Sequence, residues 1–315
     1  MPLITVFSDA LAWLGRRSAR AVALSMVLAL AIPPLGPLAK QAMVPLILAL
    51  LILSFVRTDI RSAFGGGRAA VAVAAVAWII LALPGVLGLV TAQLGEPGAL
   101  TLAVLMQACA PPVMSAPAFA LLLGLDARLV LAVMVGAMAA VPFTAPALIA
   151  HFSHGALALD PLALGLRLAA VVGGTALAGT VLRRAAGPAR IARWSTHLDG
   201  VNVLLLGGMA FGLLDGVTFA FIDQPLFMAR LVALACALSV VGIGATMLVF
   251  RTIDPGDALT LGFASGHRNM SVMIAATGAV LPPETWLYVG AAQFPIYLLP
   301  MLLRPVARRL RRTPA

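Results

Sequence analysis

The chain has 315 residues, of which 62% are hydrophobic and only 10% are charged, and its mean hydropathy is +1.07. Soluble domains carry roughly 25% charged residues, so this composition excludes an ordinary soluble protein and predicts an all-α polytopic membrane protein. The net charge of +10 does not indicate nucleic-acid binding, because the charges lie in short loops between apolar runs. The two cysteines lie in apolar segments and the four histidines have no metal-ligand spacing, so we expect no disulfide, metal or cofactor.

An N-terminal stretch, residues 1–18, precedes the apolar segments. One face of a short helix at the membrane interface would be formed there by Leu3, Ile4, Phe7, Leu11, Trp13 and Leu14. Ten apolar segments follow, and each has the roughly 20 residues that a bilayer crossing needs. They cover about residues 19–38, 41–57, 69–90, 99–123, 128–150, 162–182, 200–219, 229–250, 258–281 and 285–303.

The positions of lysine and arginine predict the orientation. Nearly all of the 21 basic residues fall on one side of a ten-span arrangement, and only Lys40 and Arg230 fall on the other. Arg167 and Arg268 lie inside predicted spans, and Arg167 is expected to extend to the interface. Because cytoplasmic loops carry the excess of basic residues, both termini are expected in the cytoplasm, with a basic tail over 304–315. The expected location is the inner (cytoplasmic) membrane of a bacterial-type cell.

The segments divide into two halves of five, residues 19–150 and 162–303, which a linker over 151–161 joins. Five is an odd number, so the second half must enter the membrane from the opposite side. This arrangement is typical of an inverted-topology repeat. The repeat is inferred from count and parity, because the sequences of the halves are only faintly similar.

Segments four and nine are interrupted at corresponding positions of the two halves. Segment four contains Pro111, Pro112 and Pro117, and each proline removes a helix hydrogen bond. We expect an unwound stretch there, and a kinked packing helix is the alternative. Segment nine contains ASGHRNMS, residues 264–271, with polar side chains in place of prolines. Irregular backbone at membrane depth is tolerated where it is buried in protein or lines a cavity, so such a pair indicates a transporter binding site.

These two segments resemble those of the bile acid:sodium symporter superfamily, at motif level around 109–124 and 264–271. The resemblance implies ten helices in two inverted five-helix repeats, with the fourth and ninth helices unwound and crossing near the middle of the membrane. It also implies a core domain made of spans 3–5 and 8–10 and a panel domain made of spans 1, 2, 6 and 7.

The family's ninth-helix pattern, Glu-Thr-Gly-x-Gln-Asn, is only partly kept. Ser265, Gly266 and Asn269 fit the pattern, but Ala264 stands at the glutamate position and Arg268 at the glutamine position. In sodium-coupled members, those two positions supply oxygens to sodium.

The fourth and fifth helices have lost further oxygens. The family's fourth-helix Ser-Asn pair falls on Ser115 and Ala116, and the stretch 129–141 has no Ser or Thr, although family members use fifth-helix hydroxyls for sodium. A hard-cation site needs several oxygen ligands. We therefore expect that transport by this chain does not depend on sodium.

Arg268 stands where the resemblance places a sodium ligand, and we expect its guanidinium to replace the charge of the ion. A charged residue inside a span is expensive to bury and is functional by default. No Asp or Glu lies in the middle of a predicted span. The partners of Arg268 would therefore be an anionic substrate, the freed carbonyls of the unwound segments, or both.

The sequence thus predicts a secondary transporter of a small organic anion that works by alternating access in the lipid bilayer. The expected substrate contacts are Val113, Met114, Ser115, Ser265, His267, Arg268 and Asn269, with exposed backbone at the first two. Gln107 would line a cavity or bond a neighbouring helix.

Two alternatives stay open. One is an arsenite or metalloid permease of the same fold, for which Cys109 would be the functional thiol. The other is a membrane sensor that does not transport. An enzyme is not expected, because no carboxylate pair, metal cluster or activated nucleophile falls within the spans.

Overall fold

The computed structural model describes residues 2–60, 67–93, 98–153 and 160–310. Residues 154–159 of the expected linker and 311–315 of the expected tail lie outside the described residues. Within the described ranges every regular element is helical. The helices are α1 (Pro2–Arg16), α2 (Ser18–Ala31), α3 (Gly36–Gln41), α4 (Met43–Arg57), α5 (Ala69–Gln93), α6 (Ala99–Cys109), α7 (Ala116–Leu123), α8 (Ala127–Ser153), α9 (Pro161–Ala186), α10 (Pro188–Arg193), α11 (Ser195–Leu213), α12 (Val217–Asp223), α13 (Pro225–Val249), α14 (Pro255–Gly266), α15 (Met270–Thr277), α16 (Pro283–Ala291) and α17 (Gln293–Leu310).

Several of these helices are long and apolar enough to cross a membrane. In the described part of the chain, five meet this test: α5, α8, α9, α11 continued through α12, and α13. The prediction of an all-α membrane protein is confirmed at this level. The full count of ten spans stays a prediction, because α4 and α6 are apolar but only 15 and 11 residues long.

The first expected span, residues 19–38, is not one straight helix. The chain bends by 96° between the helical residues up to Ala31 and those that begin at Pro33. Pro33 and Pro34 have no N–H groups to continue the helical hydrogen bonds. The expected span over 19–38 is therefore a bent pair of helices, which counts as a sixth candidate span if the pair is one crossing.

Two compact units divide the chain, and the first contains Met1–Asp59 and Ala170–Pro225. In this unit α11 packs against α1, α2, α3 and α4. Gly200 permits the close approach of α1, because an added Cβ would lie 2.1 Å from the carbonyl oxygen of Leu11. The expected N-terminal helix is present and its Phe7 and Trp13 are exposed.

The second unit contains Ile60–Ala169 and Leu226–Ala315. Its central helix is α8, which packs against α5, α6, α7 and α14. All residues of α6 from Leu102 to Cys109 and all of α14 from Ala258 to Gly266 are buried. The core of this unit therefore holds the first halves of both interrupted segments.

Candidate functional site

Both predicted interruptions are present in the second unit. Segment four divides into α6 and α7 around residues 110–115, and segment nine divides into α14 and α15 around 267–269. Pro111 and Pro112 lie in the first break. Pro117 lies in the first turn of α7, where a missing N–H removes no helical hydrogen bond. The unwound stretch expected in segment four is confirmed, and the alternative of one kinked helix is wrong.

The two breaks pair with each other as a short antiparallel bridge. Pro112 lies opposite Arg268. The N–H of Val113 donates to the carbonyl of His267 at 2.9 Å, and the N–H of Asn269 donates to the carbonyl of Pro111 at 2.7 Å. These bonds flank the Pro112–Arg268 pair, so the bridge requires no N–H from Pro112.

Arg268 cross-links three segments of this unit through its guanidinium. Its Nη1 donates to the carbonyl of Ala110 at 3.0 Å and to the carbonyl of Ile79 at 3.1 Å, and its Nη2 lies 3.5 Å from the hydroxyl of Ser265. Ala110 directly follows α6, where carbonyls have no helical donor. The side chain is 95% buried, with 5% exposed. Arg268 thus bonds freed backbone carbonyls, one of the two roles expected from the sequence.

The Ile79 carbonyl needs a donor because α5 contains a π-turn. The N–H of Leu83 donates to the carbonyl of Trp78, an i to i+5 bond. The next donor position in this pattern is Pro84, which has no N–H. Arg268 supplies the missing donor to the Ile79 carbonyl. This contact was not predicted from the sequence, although Pro84 inside segment three was its visible signal.

Ser115 and Asn269 are the N-cap residues of α7 and α15, and neither side chain caps its helix. Serine and asparagine are preferred at this position because their side-chain oxygens accept bonds from the first turn. Ser115 is exposed and Asn269 is half-buried. The crossing therefore presents two polar side chains, one from each interrupted segment, that are not used in capping.

Val113 and His267 differ from their expected roles. The Val113 backbone is not exposed, because its N–H bonds His267 and its carbonyl accepts from Ala116 at 2.9 Å. His267 is fully buried. Its Nδ1 donates to the carbonyl of Phe263 at 3.0 Å, and its Nε2 has no partner among the described residues. The accessible backbone expected at Val113 is therefore wrong, and His267 is inaccessible in this conformation.

The remaining expected positions are mostly buried. Met114 is half-buried, while Ser265, Ala264 and Ala116 are almost fully buried. Of these, only the Ser265 hydroxyl offers a side-chain oxygen, and it accepts from Arg268.

A small cavity lies beside Arg268. Its polar wall is formed by Gln107, Ser239, Ser265 and Arg268, and leucine, alanine and glycine residues form the rest. The cavity volume is about 10 Å³, which is room for about one water-sized molecule. The Gln107 side-chain amide also lies 3.3 Å from both the Ser239 hydroxyl and the Ala235 carbonyl. Both expected roles of Gln107, cavity lining and helix contact, are therefore present.

No protein-family model matches this chain, and no curated protein matches it. Among the described residues, no group of His, Cys, Asp and Glu side chains could hold a metal ion. Cys109 is fully buried at the end of α6.

Proposed function

We propose that this chain is a secondary transporter of a small organic anion, with the fold of the bile acid:sodium symporter superfamily. The observation that carries the proposal is the pair of crossing breaks, which are joined by two backbone hydrogen bonds and followed by uncapped Ser115 and Asn269. Discontinuous helices line binding sites in transporters, and the N-termini of their half-helices favour anionic groups.

The division of the chain supports alternating access. Segments 3–5 and 8–10 fall in the second unit, while segments 1, 2 and 7 and most of segment six fall in the first. This grouping is the one that the resemblance implies for core and panel. In the proposed mechanism, the panel moves relative to the core and the crossing becomes accessible from each side of the inner membrane in turn.

The proposed topology has ten spans in two inverted repeats, with both termini in the cytoplasm. The distribution of arginines supports it, since four of them lie in residues 183–193. A reporter fused after Ala315 and another inserted near Pro188 should therefore give the same cytoplasmic signal. A reporter inserted after Lys40 should give the opposite signal. Unlike signals from Ala315 and Pro188 would reject the even number of spans.

Transport should not depend on sodium. The Arg268 guanidinium already donates to three oxygens in the position that the resemblance gives to the ion. Two like charges about 4 Å apart repel by about 4 kcal/mol at an effective dielectric constant near 20. Replacing sodium with choline or potassium should leave substrate affinity and uptake into proteoliposomes nearly unchanged.

The single variant Arg268→Gln is a second test of the proposal that Arg268 replaces the sodium ion. It removes the charge but leaves Ala264 at the glutamate position, so it should not create sodium coupling. Steep sodium-dependent uptake by the unmodified protein would contradict the charge-replacement proposal and would require ion ligands elsewhere.

The substrate should bind at Ser115 and Asn269. A thermal-shift screen of organic anions on purified protein would identify a ligand, and Ser115→Ala and Asn269→Ala should each weaken its binding about fivefold, the worth of one hydrogen bond. Ser25→Ala is a matched control, because that hydroxyl bonds the carbonyl of Val22 within its own helix. Equal affinity in all three variants would reject this placement, and binding without flux would indicate the sensor instead.

A further inference from the structure

The crossing holds a buried positive charge that no described carboxylate balances. All hydrogen bonds of Arg268 to described residues go to two carbonyls and one hydroxyl. The carboxylates of Asp126 and Asp257 are engaged elsewhere in the unit, 3.1 Å and 2.6 Å from the guanidinium of Arg68. A buried ion without a counter-charge carries a large desolvation cost, so an anion beside Arg268 would lower that cost.

The helix dipoles at the crossing do not supply that anion. The C-termini of α6 and α14 meet there and each is equivalent to about half a negative charge. The N-termini of α7 and α15 begin within a few residues of the same bridge, and each is equivalent to about half a positive charge. Partial charges of both signs therefore surround the guanidinium, and none of them is the full negative charge of an ion.

The cavity beside Arg268 offers hydrogen-bond donors. Its four polar side chains are each at most 5% exposed. The Ser265 hydroxyl accepts from Arg268 and the Ser239 hydroxyl accepts from Gln107, so the hydrogen of each hydroxyl is left to donate. The side-chain oxygen of Gln107 accepts from the hydroxyl of Tyr288, so this acceptor is already engaged.

A guanidinium carries five N–H donors, of which Arg268 uses three on described residues. Two N–H groups of Arg268 therefore remain as donors, in addition to the two serine hydroxyls. The volume of about 10 Å³ admits a body of about the size of one water molecule. A carboxylate-bearing organic molecule is much larger than this space, whereas a monatomic anion such as chloride is only slightly larger than a water molecule.

We propose that this cavity binds one small monovalent inorganic anion, chloride, as the counter-ion of Arg268. The anion would accept hydrogen bonds from the guanidinium and from the hydroxyls of Ser239 and Ser265. It occupies a site separate from the organic substrate, which is assigned to Ser115 and Asn269. Chloride binding can be measured on the purified protein, so it does not depend on the proposed transport.

The first test is thermal unfolding of the detergent-solubilised protein at constant ionic strength, with chloride exchanged for the larger gluconate. Chloride should raise the unfolding midpoint in a saturable manner, because a ligand that binds only the folded state stabilises it. Arg268→Gln should weaken chloride binding at least tenfold. Arg167→Gln is the matched control, since Arg167 is exposed, and it should keep the full response.

If Arg268→Gln does not fold, Ser239→Ala tests the chloride site in its place. It removes one donor to the anion and should weaken chloride binding about tenfold, the worth of one charge-assisted hydrogen bond. A chloride response identical to that of the unmodified protein in Ser239→Ala would overturn the site.

Bromide locates the anion directly. Crystals of the full chain with bromide in place of chloride should show an anomalous peak within hydrogen-bond distance of Arg268 and Ser239. Water in this cavity at bromide concentrations that saturate the thermal response would overturn the proposal. Chloride binding without substrate flux would reject the proposed transport but support the chloride site. Substrate flux without chloride binding would support transport and reject the chloride site.

Discussion

The breaks in segments four and nine meet in one antiparallel bridge, but one contributes mainly hydrogen-bond acceptors and the other mainly donors. In segment four, Pro111 and Pro112 open the helix by removing N–H donors, and their stretch contributes carbonyls. In segment nine, Arg268 and Asn269 keep their backbone donors, and Arg268 adds a guanidinium. The break in segment four (break four) therefore contributes mostly acceptors, and the break in segment nine (break nine) supplies donors to the carbonyls of Pro111 and Ala110. The Val113 N–H is the one donor that returns to the carbonyl of His267.

This difference shows that the breaks stabilise each other as a pair. A proline-rich break alone would bury unpaired carbonyls, which is costly inside a membrane. An arginine alone would bury N–H donors without acceptors. Each interruption thus satisfies polar groups that the other exposes, and a change on the donor side should cost more than a change on the proline side.

Replacing Arg268 should have the largest effect. Arg268→Met leaves the carbonyls of Ile79 and Ala110 without their side-chain donor, and we expect a loss of ~3–5 kcal/mol of unfolding free energy. Arg268→Lys keeps the charge but loses the planar fork that reaches both carbonyls. Its unfolding free energy should lie between those of Arg268→Met and the unmodified protein. The measurement is denaturant unfolding in detergent micelles.

Arg167→Met is the control for this series. Arg167 lies on the exposed side of α9, so its replacement removes no contact at the crossing and should cost much less unfolding free energy than Arg268→Met. Equal losses in Arg268→Met and Arg167→Met would show that the guanidinium does not hold the crossing together.

The sequence predicted one break more fully than the other. Three prolines within seven residues leave few alternatives to an unwound stretch, and Pro111 and Pro112 located the break in segment four correctly, while Pro117 lies in the first turn of α7. Segment nine offered only polar side chains, and the position of Arg268 did not say which groups it bonds. The bonding partners of Arg268 depend on Ile79, which lies 189 positions before it in the sequence, and on the missing N–H of Pro84. Such long-range pairing is set by packing of the unit, which local patterns do not encode.

Gly266 should have an intermediate effect, because it brings the donor-side break against α13. A Cβ at this position would lie 2.5 Å from Cγ1 of Ile243 and 2.8 Å from the carbonyl oxygen of Ser239. Overpacking of this kind costs ~1–3 kcal/mol, so Gly266→Ala should lower the unfolding free energy by that amount. Displacing Ser239 should also weaken the response to chloride.

Gly244→Ala supplies the control for Gly266→Ala. Gly244 lies in α13, and a Cβ there meets nothing within 4 Å. Alanine is more favourable than glycine in a helix by ~1 kcal/mol, so this variant should be neutral or more stable. A loss as large as that of Gly266→Ala would mean that α13 tolerates no change at all, and the close approach at Gly266 would carry no special weight.

Pro112→Ala should have the smallest effect of the series, although it alters the centre of the bridge. The two hydrogen bonds flank position 112, so the bridge requires no N–H there, and an alanine keeps both. The expected loss is ~0.4–1 kcal/mol, because the unfolded chain gains freedom when the proline is removed. Val113→Pro, one residue further on, removes an N–H that is used and leaves the His267 carbonyl unpaired, which should cost ~1–3 kcal/mol. If instead Pro112→Ala is the more damaging of the two, the prolines hold break four open by their rigidity and the hydrogen bonds between the breaks contribute little.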